Sequence, residues 1–278
     1  MNDSGQSGAT SAVLQQSGTA VFATDPNGGY AIAGPMAAND AGPSPWPNQI
    51  ALANPSGVLR YGPRPLGSSG PVFGLGLDQS SRALVIQGGA TAACGSGCIT
   101  GQWFGQDGAA LTEPFTLLTG FVAGPSTWFQ TAPLIGGGLA VRRMDASTAG
   151  SSQRGFHSTW LVTVDSGKAQ LHAAPDWMTA RPDTDLMPAR GNRGYAVLPE
   201  ATTGGACSQR LEVLSPAGNS CAAYDLAIAP RPGCDAWELK LGFDGTVLQR
   251  LPPELETDQG GNGRIKSCTL RYWPAALR

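Results

Sequence analysis

The sequence predicts an all-β fold of repeated four-stranded units, and three observations carry that prediction. Glycine (39) and proline (22) are dense in a chain of 278 residues, and residues that interrupt helices this often leave no room for a helical bundle. Short alternating apolar segments closed by turn residues recur from starts near 20, 71, 127, 184 and 235, at intervals of 51, 56, 57 and 51 residues. The last unit is one strand short, while the head of the chain holds a spare segment that can supply it.

Each unit opens on a hairpin. Val21 to Ala33 reads as two strands around Asp25-Pro-Asn-Gly-Gly, and Val72 to Ile86, Trp128 to Val141, Asp185 to Leu198 and Trp237 to Gln249 repeat the layout. A second hairpin follows in the first four units, turning at Asn54-Pro-Ser-Gly, Gly105-Gln-Asp-Gly, Val164-Asp-Ser-Gly and Ser215-Pro-Ala-Gly. Glycine at these points accepts the positive φ that tight hairpin turns impose. Four strands and about fifty residues per unit is the arithmetic of a propeller blade. The expected fold is a five-bladed β-propeller, with a β-sandwich or jelly roll as its rival. In the fifth unit one hairpin is followed by a loop around Glu254–Lys266 and a single strand from Cys268. The N-terminal segment Ser11–Gln16 is expected to close that last blade, removing exposed edges. Residues 11–278 then form one domain, and residues 1–10 read as a flexible leader rich in Ser and Gly.

Composition narrows the function. Only 14% of residues are charged, and 18 basic against 20 acidic residues leave a net −2, without the basic face that nucleic-acid binding needs. No apolar run approaches the length of a transmembrane helix. A hydrophobic content of 41% with seven tryptophans can fill a core, which excludes disorder over most of the chain.

Six cysteines stand at Cys94, Cys98, Cys207, Cys221, Cys234 and Cys268. An even number in a glycine-rich, charge-poor chain suits an oxidising compartment, and neighbours are expected to pair: Cys94 with Cys98, Cys207 with Cys221, Cys234 with Cys268. Cys94-Gly-Ser-Gly-Cys98 has no second Cys or His pair at ligand spacing nearby, so no metal is expected. The first residues lack the basic start and apolar core of a signal peptide. The reading is an extracytoplasmic protein (periplasmic, surface-bound or secreted) whose secretion signal or lipid-attachment cysteine was trimmed. The alternative is a cytoplasmic protein with a ragged start.

The ending Cys268-Thr-Leu-Arg-Tyr-Trp-Pro-Ala-Ala-Leu-Arg, together with Gly-Gln-Trp-Phe-Gly-Gln-Asp-Gly at 101–108, is similar to surface propeller lipoproteins of myxobacteria. The resemblance spans residues 20–278 and implies secretion and fold. It brings no catalytic residue with it.

The usual catalytic constellations are absent: no Gly-x-Ser-x-Gly, no His-Glu-x-x-His, no phosphate loop and no calcium loop. Two histidines, His157 and His172, are too few for a histidine metal site, and no cofactor is expected. A glycosidase-type hydrolase would use paired acids, for which Asp25, Asp78, Asp185, Asp235 and Glu238 are the first-strand candidates. Asp25 and Asp78 also read as plain turn formers, as do Asp107 and Asp244. Trp103, Trp128, Trp160, Trp237 and Trp273 read as packing residues on strands.

The long, irregular segments fall on one face, where loops on a rigid scaffold build binding sites. Trp46 lies in 37–48, the first two cysteines in 88–100, Arg154 in 145–156 with His157 just after it, and Arg64 in 62–70. Asp176, Trp177 and Arg181 lie in 173–184, and Arg231 in 227–233. Exposed tryptophan suits sugar rings or partner side chains, and arginine suits carboxylates. The expected function is a monomeric binding or scaffold module meeting a protein or glycan through Trp46, Arg64, Arg154, His157, Asp176, Trp177 and Arg181. The hydrolase is the alternative.

Overall fold

The computed structural model describes residues 15–16, 20–37, 47–67, 70–91, 94–120, 127–146, 154–180, 184–188, 194–199, 208–227, 239–241, 246–250, 254–257, 263–267 and 270–273. The chain divides into two compact units, Met1–Thr179 and Ala180–Arg278. All sheets are antiparallel, as the predicted hairpins require.

The first unit holds three sheets. The first comprises β1 (Gln15–Gln16), β2 (Val21–Thr24), β3 (Tyr30–Ala37), β4 (Asn48–Ala53) and β5 (Leu59–Pro65). The second runs β6 (Val72–Leu77), β7 (Ala83–Thr91), β8 (Cys94–Phe104), β9 (Phe115–Leu118). The third runs β10 (Thr127–Pro133), β11 (Leu139–Ala146), β12 (Arg154–Asp165), β13 (Lys168–Ala173), and a single turn of helix, α1 (Asp176–Thr179), follows. The second unit holds a four-stranded sheet of β14 (Thr184–Pro188), β15 (Tyr195–Pro199), β16 (Ser208–Leu214) and β17 (Ser220–Ala227). After it come β18 (Leu239–Leu241), β19 (Val247–Arg250), β20 (Glu254–Thr257), β21 (Gly263–Ser267) and β22 (Leu270–Trp273).

In the first unit the sheets stack face to face. Alternation along each strand gives every sheet two apolar faces. Ala31, Ala33, Ile50 and Leu52 of the first sheet pack on Leu75, Leu77 and Val85 of the second. The second sheet turns Leu84, Ile86 and Trp103 toward Phe129, Leu139, Val141 and Val162 of the third. The opening strands converge, β2 beside β6 and β6 beside β10. Glycine makes that approach close. A Cβ on Gly76 would lie 2.5 Å from Thr131 Oγ1 and 2.7 Å from Leu139 Cδ1, while the Thr131 hydroxyl donates to the Leu75 carbonyl at 2.9 Å.

Six hairpin turns share one design: 25–29, 54–58, 78–82, 105–109, 134–138 and 215–219. In each, the first N–H donates to the fifth carbonyl and the fourth N–H donates to the first carbonyl. The fourth residue has positive φ, and it is glycine in five turns (Gly28, Gly57, Gly108, Gly137 and Gly218) and Ser81 in the sixth. The turn joining β12 to β13 is a tighter two-residue version, with Ser166 and Gly167 both at positive φ.

Three expectations need correction. Gln15 and Gln16 pair with Ala37 and Met36 of β3, in the first sheet, instead of closing the fifth unit. β3 outruns β2, whose pairing stops at Ala33, so its last residues offer a free ladder to the chain just upstream. The fifth unit holds a three-stranded sheet, β18-β19-β22, and the expected loop around Glu254–Lys266 contains a separate hairpin, β20 on β21. Cys221 is a free, exposed thiol whose Sγ lies 3.6 Å from the Asn219 carbonyl, so it is not bridged to Cys207, which lies outside the described residues.

Candidate functional site

Two ends of the sheets can be told apart, and their chemistry differs. At the turn end of the first unit, the first-strand acids are buried inside the turns they begin. Asp25, 2% exposed, accepts the Asn27 N–H and the Ser81 hydroxyl on Oδ1, both at 2.9 Å, and its Oδ2 lies 3.5 Å from Arg60. Asn27 reaches the same neighbour, donating to the Gln79 carbonyl at 2.9 Å and to the Ser81 hydroxyl at 3.0 Å. Asp78, fully buried, accepts the Ser80 and Arg82 N–H groups on Oδ1. Its Oδ2 takes the Arg82 guanidinium at 2.6 and 2.8 Å and the Gly138 N–H at 3.4 Å. Each carboxylate therefore closes its own turn and grips the turn of the following sheet. Arg82 is held a second time, its Cζ 5.9 Å from the centre of the Trp103 ring.

Asp25 and Asp78 thus fill the turn-forming role expected of an aspartate at the head of a hairpin turn. Asp185 lies on β14, where its side chain is outside the description, and Asp235 and Glu238 lie outside the described residues. Among the described residues no group of three or more His, Cys, Asp or Glu could hold a metal ion.

The opposite end receives the long connections. α1 opens the 173–184 segment and sets Asp176, exposed, beside Trp177, half-buried, with Met178 buried beneath. Arg64 is exposed, but it lies on β5, paired with Ile50, and not in a loop. The ladder there slips between Ile50 and Leu52, where Gly62 passes at a φ of 109° with its hydrogen against Ala51, and pairing then resumes through Arg64 and Pro65. Arg154 likewise belongs to β12, opposite Ala146, and His157 follows on the same strand, because the β11–β12 ladder extends beyond the predicted strand ends. Trp46, Arg181 and Arg231 lie outside the described residues. The structure thus brings Asp176 and Trp177 together, and puts Arg64 and Arg154 on strands of different sheets.

Several important residues escaped the sequence reading. Ser81 carries the positive φ of a glycine position and shows no turn signature of its own. Arg142 is 3% exposed in β11, in register with Gln130 and Thr159, at a position where the preceding sheet has Ile86. Only the alignment of the units by their turns exposes that exchange of an apolar residue for a guanidinium. Tyr61 packs its ring on Gly108, and its hydroxyl has no hydrogen-bond partner among the described residues. Burial, and secondarily the charge of Asp107, push its phenol far above the usual range. His172, on β13, is exposed with Nε2 3.4 Å from the Thr163 hydroxyl, a strand residue as expected.

Of the first two cysteines, Cys98 is buried and disulfide-bonded. The backbone bulges where they sit: β7 advances two residues, from Gly89 to Thr91, while β8 advances four, from Cys94 to Cys98. Cys234 and Cys268 lie outside the described residues.

No family model matches the chain, and no curated protein matches it. Among solved structures it is similar to prolyl oligopeptidase B from Galerina marginata, in the apo form, with a TM-score of 0.40 and 10% identity over 96% of this chain. The match takes in 35% of that protein, so the chain spans about a third of its length. Among the described residues no helix is long and apolar enough to cross a membrane.

Proposed function

We propose that the chain is an extracytoplasmic five-bladed β-propeller that binds a protein or glycan partner through its long-loop end. The observation that carries this reading is the asymmetry of the sheet ends. At one end of the first unit, five turns of one design are sealed by their own backbone bonds, and two of them hold their acids in buried contacts. The variable length, and α1 with Trp177, lie at the other end.

The ring is supported by the convergence of β2, β6 and β10 and by the burial of both faces of the first sheet. Ile32, Met36 and Ala51, on the face turned away from the second sheet, are at most 1% exposed. The compartment is supported by the bulge that brings the Cα atoms of Cys94 and Cys98 to within about 7 Å along the ladder, the reach of a disulfide. The resemblance to myxobacterial surface lipoproteins points the same way.

The test is a glycan array and a pull-down from extracellular material, with wild type against Trp177→Ala and Asp176→Ala. Binding should fall at least tenfold for Trp177→Ala while the melting temperature stays within a few degrees. Equal binding by the variant, or capture by the turn end alone, would overturn the reading.

A further inference from the structure

We propose that Asn27-Gly28 is a deamidation site, held closed by the contact between the first two sheets and unable to re-form that contact once converted. Asparagine is followed by glycine twice in the chain, at Asn27-Gly28 and at Asn262-Gly263, and Asn262 lies outside the described residues. The pair favours imide chemistry because glycine has no Cβ to crowd its nitrogen, and asparagine is a thermolabile residue.

The reaction needs no partner but water. The Gly28 nitrogen gives up its proton and attacks Asn27 Cγ, forming an N–C bond. The Cγ–Nδ2 bond breaks, and ammonia leaves with that proton. Water then adds to either carbonyl of the cyclic imide and reopens it as an aspartyl or an isoaspartyl residue. One water is consumed, one ammonia is released and nothing is oxidised.

In the folded chain both reacting groups are held. The Gly28 N–H donates to the Asp25 carbonyl at 2.9 Å. The Asn27 amide donates to the Gln79 carbonyl at 2.9 Å and to the Ser81 hydroxyl oxygen at 3.0 Å, in the opening turn of the second sheet. Ring closure must break these bonds, so the turn opens locally before it reacts. Asn27 is exposed, so water reaches it once it does.

The same contacts reject the product. A carboxylate has no hydrogen for the Gln79 carbonyl or for Ser81, whose own proton goes to Asp25 Oδ1 at 2.9 Å. It also stands beside the buried Asp25 carboxylate, whose Oδ1 already accepts the Asn27 N–H, while Arg60 lies 3.5 Å from the other oxygen. The isoaspartyl form adds a methylene to the backbone of a turn whose spacing its own bonds fix. Conversion therefore releases the first turn from the second for good.

Peptide mapping at Asn27 after incubation in warm, mildly alkaline buffer tests this. Conversion should be at least about tenfold slower in the folded chain than in urea. Ser81→Gly, which removes one partner of the amide, should speed it severalfold in the folded chain. Gly167→Ala, strained at φ 76 in the β12–β13 turn, should leave it near the wild-type rate. Asn27→Asp should melt below wild type, and so should the converted protein. Equal rates in the folded chain and in urea, or no conversion in urea, overturn the proposal. So does a rate that Ser81→Gly leaves unchanged or that Gly167→Ala raises as much, or an Asn27→Asp variant that melts like wild type.

Discussion

Ser81 holds at φ 54 a left-handed position that glycine takes in the five sister turns. A serine there is strained by about 1 kcal/mol or more, and its hydroxyl explains why it stays: it donates to buried Asp25 and receives Asn27. Ser81→Gly should relieve the strain yet lower stability by about 1 kcal/mol, since a buried carboxylate loses a donor. Asp25→Ala should cost more, about 2–3 kcal/mol, by orphaning the Ser81 hydroxyl and the Asn27 N–H together. Asp107→Ala, at an exposed turn with one bond to the Ala109 N–H, should cost about 0.5 kcal/mol, and urea melts would rank the three. The turn-forming aspartates were legible from their neighbours in sequence. The partners of Asp25 lie 35 and 56 residues away, and nothing local announces them. Tyr61 gives a test with pH. Its folded phenol titrates above the unfolded value of about 10, so the folded chain keeps a proton that the unfolded chain releases. Its contribution to stability is whole below about pH 10 and shrinks as pH rises beyond, by up to about 1.4 kcal/mol per unit. Tyr61→Phe removes a hydroxyl without a described partner. It should melt like wild type at pH 8 and lose less stability between pH 10 and 11.5.

At the scale of elements, the hairpins were the most legible part, because a turn with positive φ selects glycine and the flanking strands alternate. The ladders were less so. β5 and β12 run further than their apolar cores, since backbone pairing continues past the last buried side chain, which is why Arg64 and Arg154 look like loop residues in the sequence and lie on strands. β1 could not be read correctly from sequence at all. A two-residue strand has no period, and its partner is chosen by which ladder has free groups nearby. Element packing makes its own prediction at Gly76. β6 lies so close to β10 that Gly76→Val must displace Thr131, whose hydroxyl holds the Leu75 carbonyl, and Leu139. The expected loss is about 2–3 kcal/mol. The same change at Gly136, which has open space around it, meets no atoms and suffers only from its φ of 88. A denaturation series comparing the two separates crowding from backbone strain.

For the whole molecule, the repeat arithmetic anticipated antiparallel four-stranded sheets, and the structure has them in the second, third and fourth units. Ring closure is the reading that sequence periodicity alone could not supply, because a stack of sheets and a ring of blades share the same strands and turns. Ile32, Met36 and Ala51 on the outer side of the first sheet are buried. On the third sheet Ala140 and Arg142, turned away from the second, are buried as well. If the proposed ring covers those faces, a polypeptide of residues 20–180 must expose both. It should then bind a hydrophobic dye, aggregate or associate, and melt without the cooperativity of the full chain. A fragment that is monomeric, silent toward the dye and as heat-stable as the full chain would mean that the first unit covers its own faces. The five-bladed ring would then be the wrong assembly of correctly identified sheets.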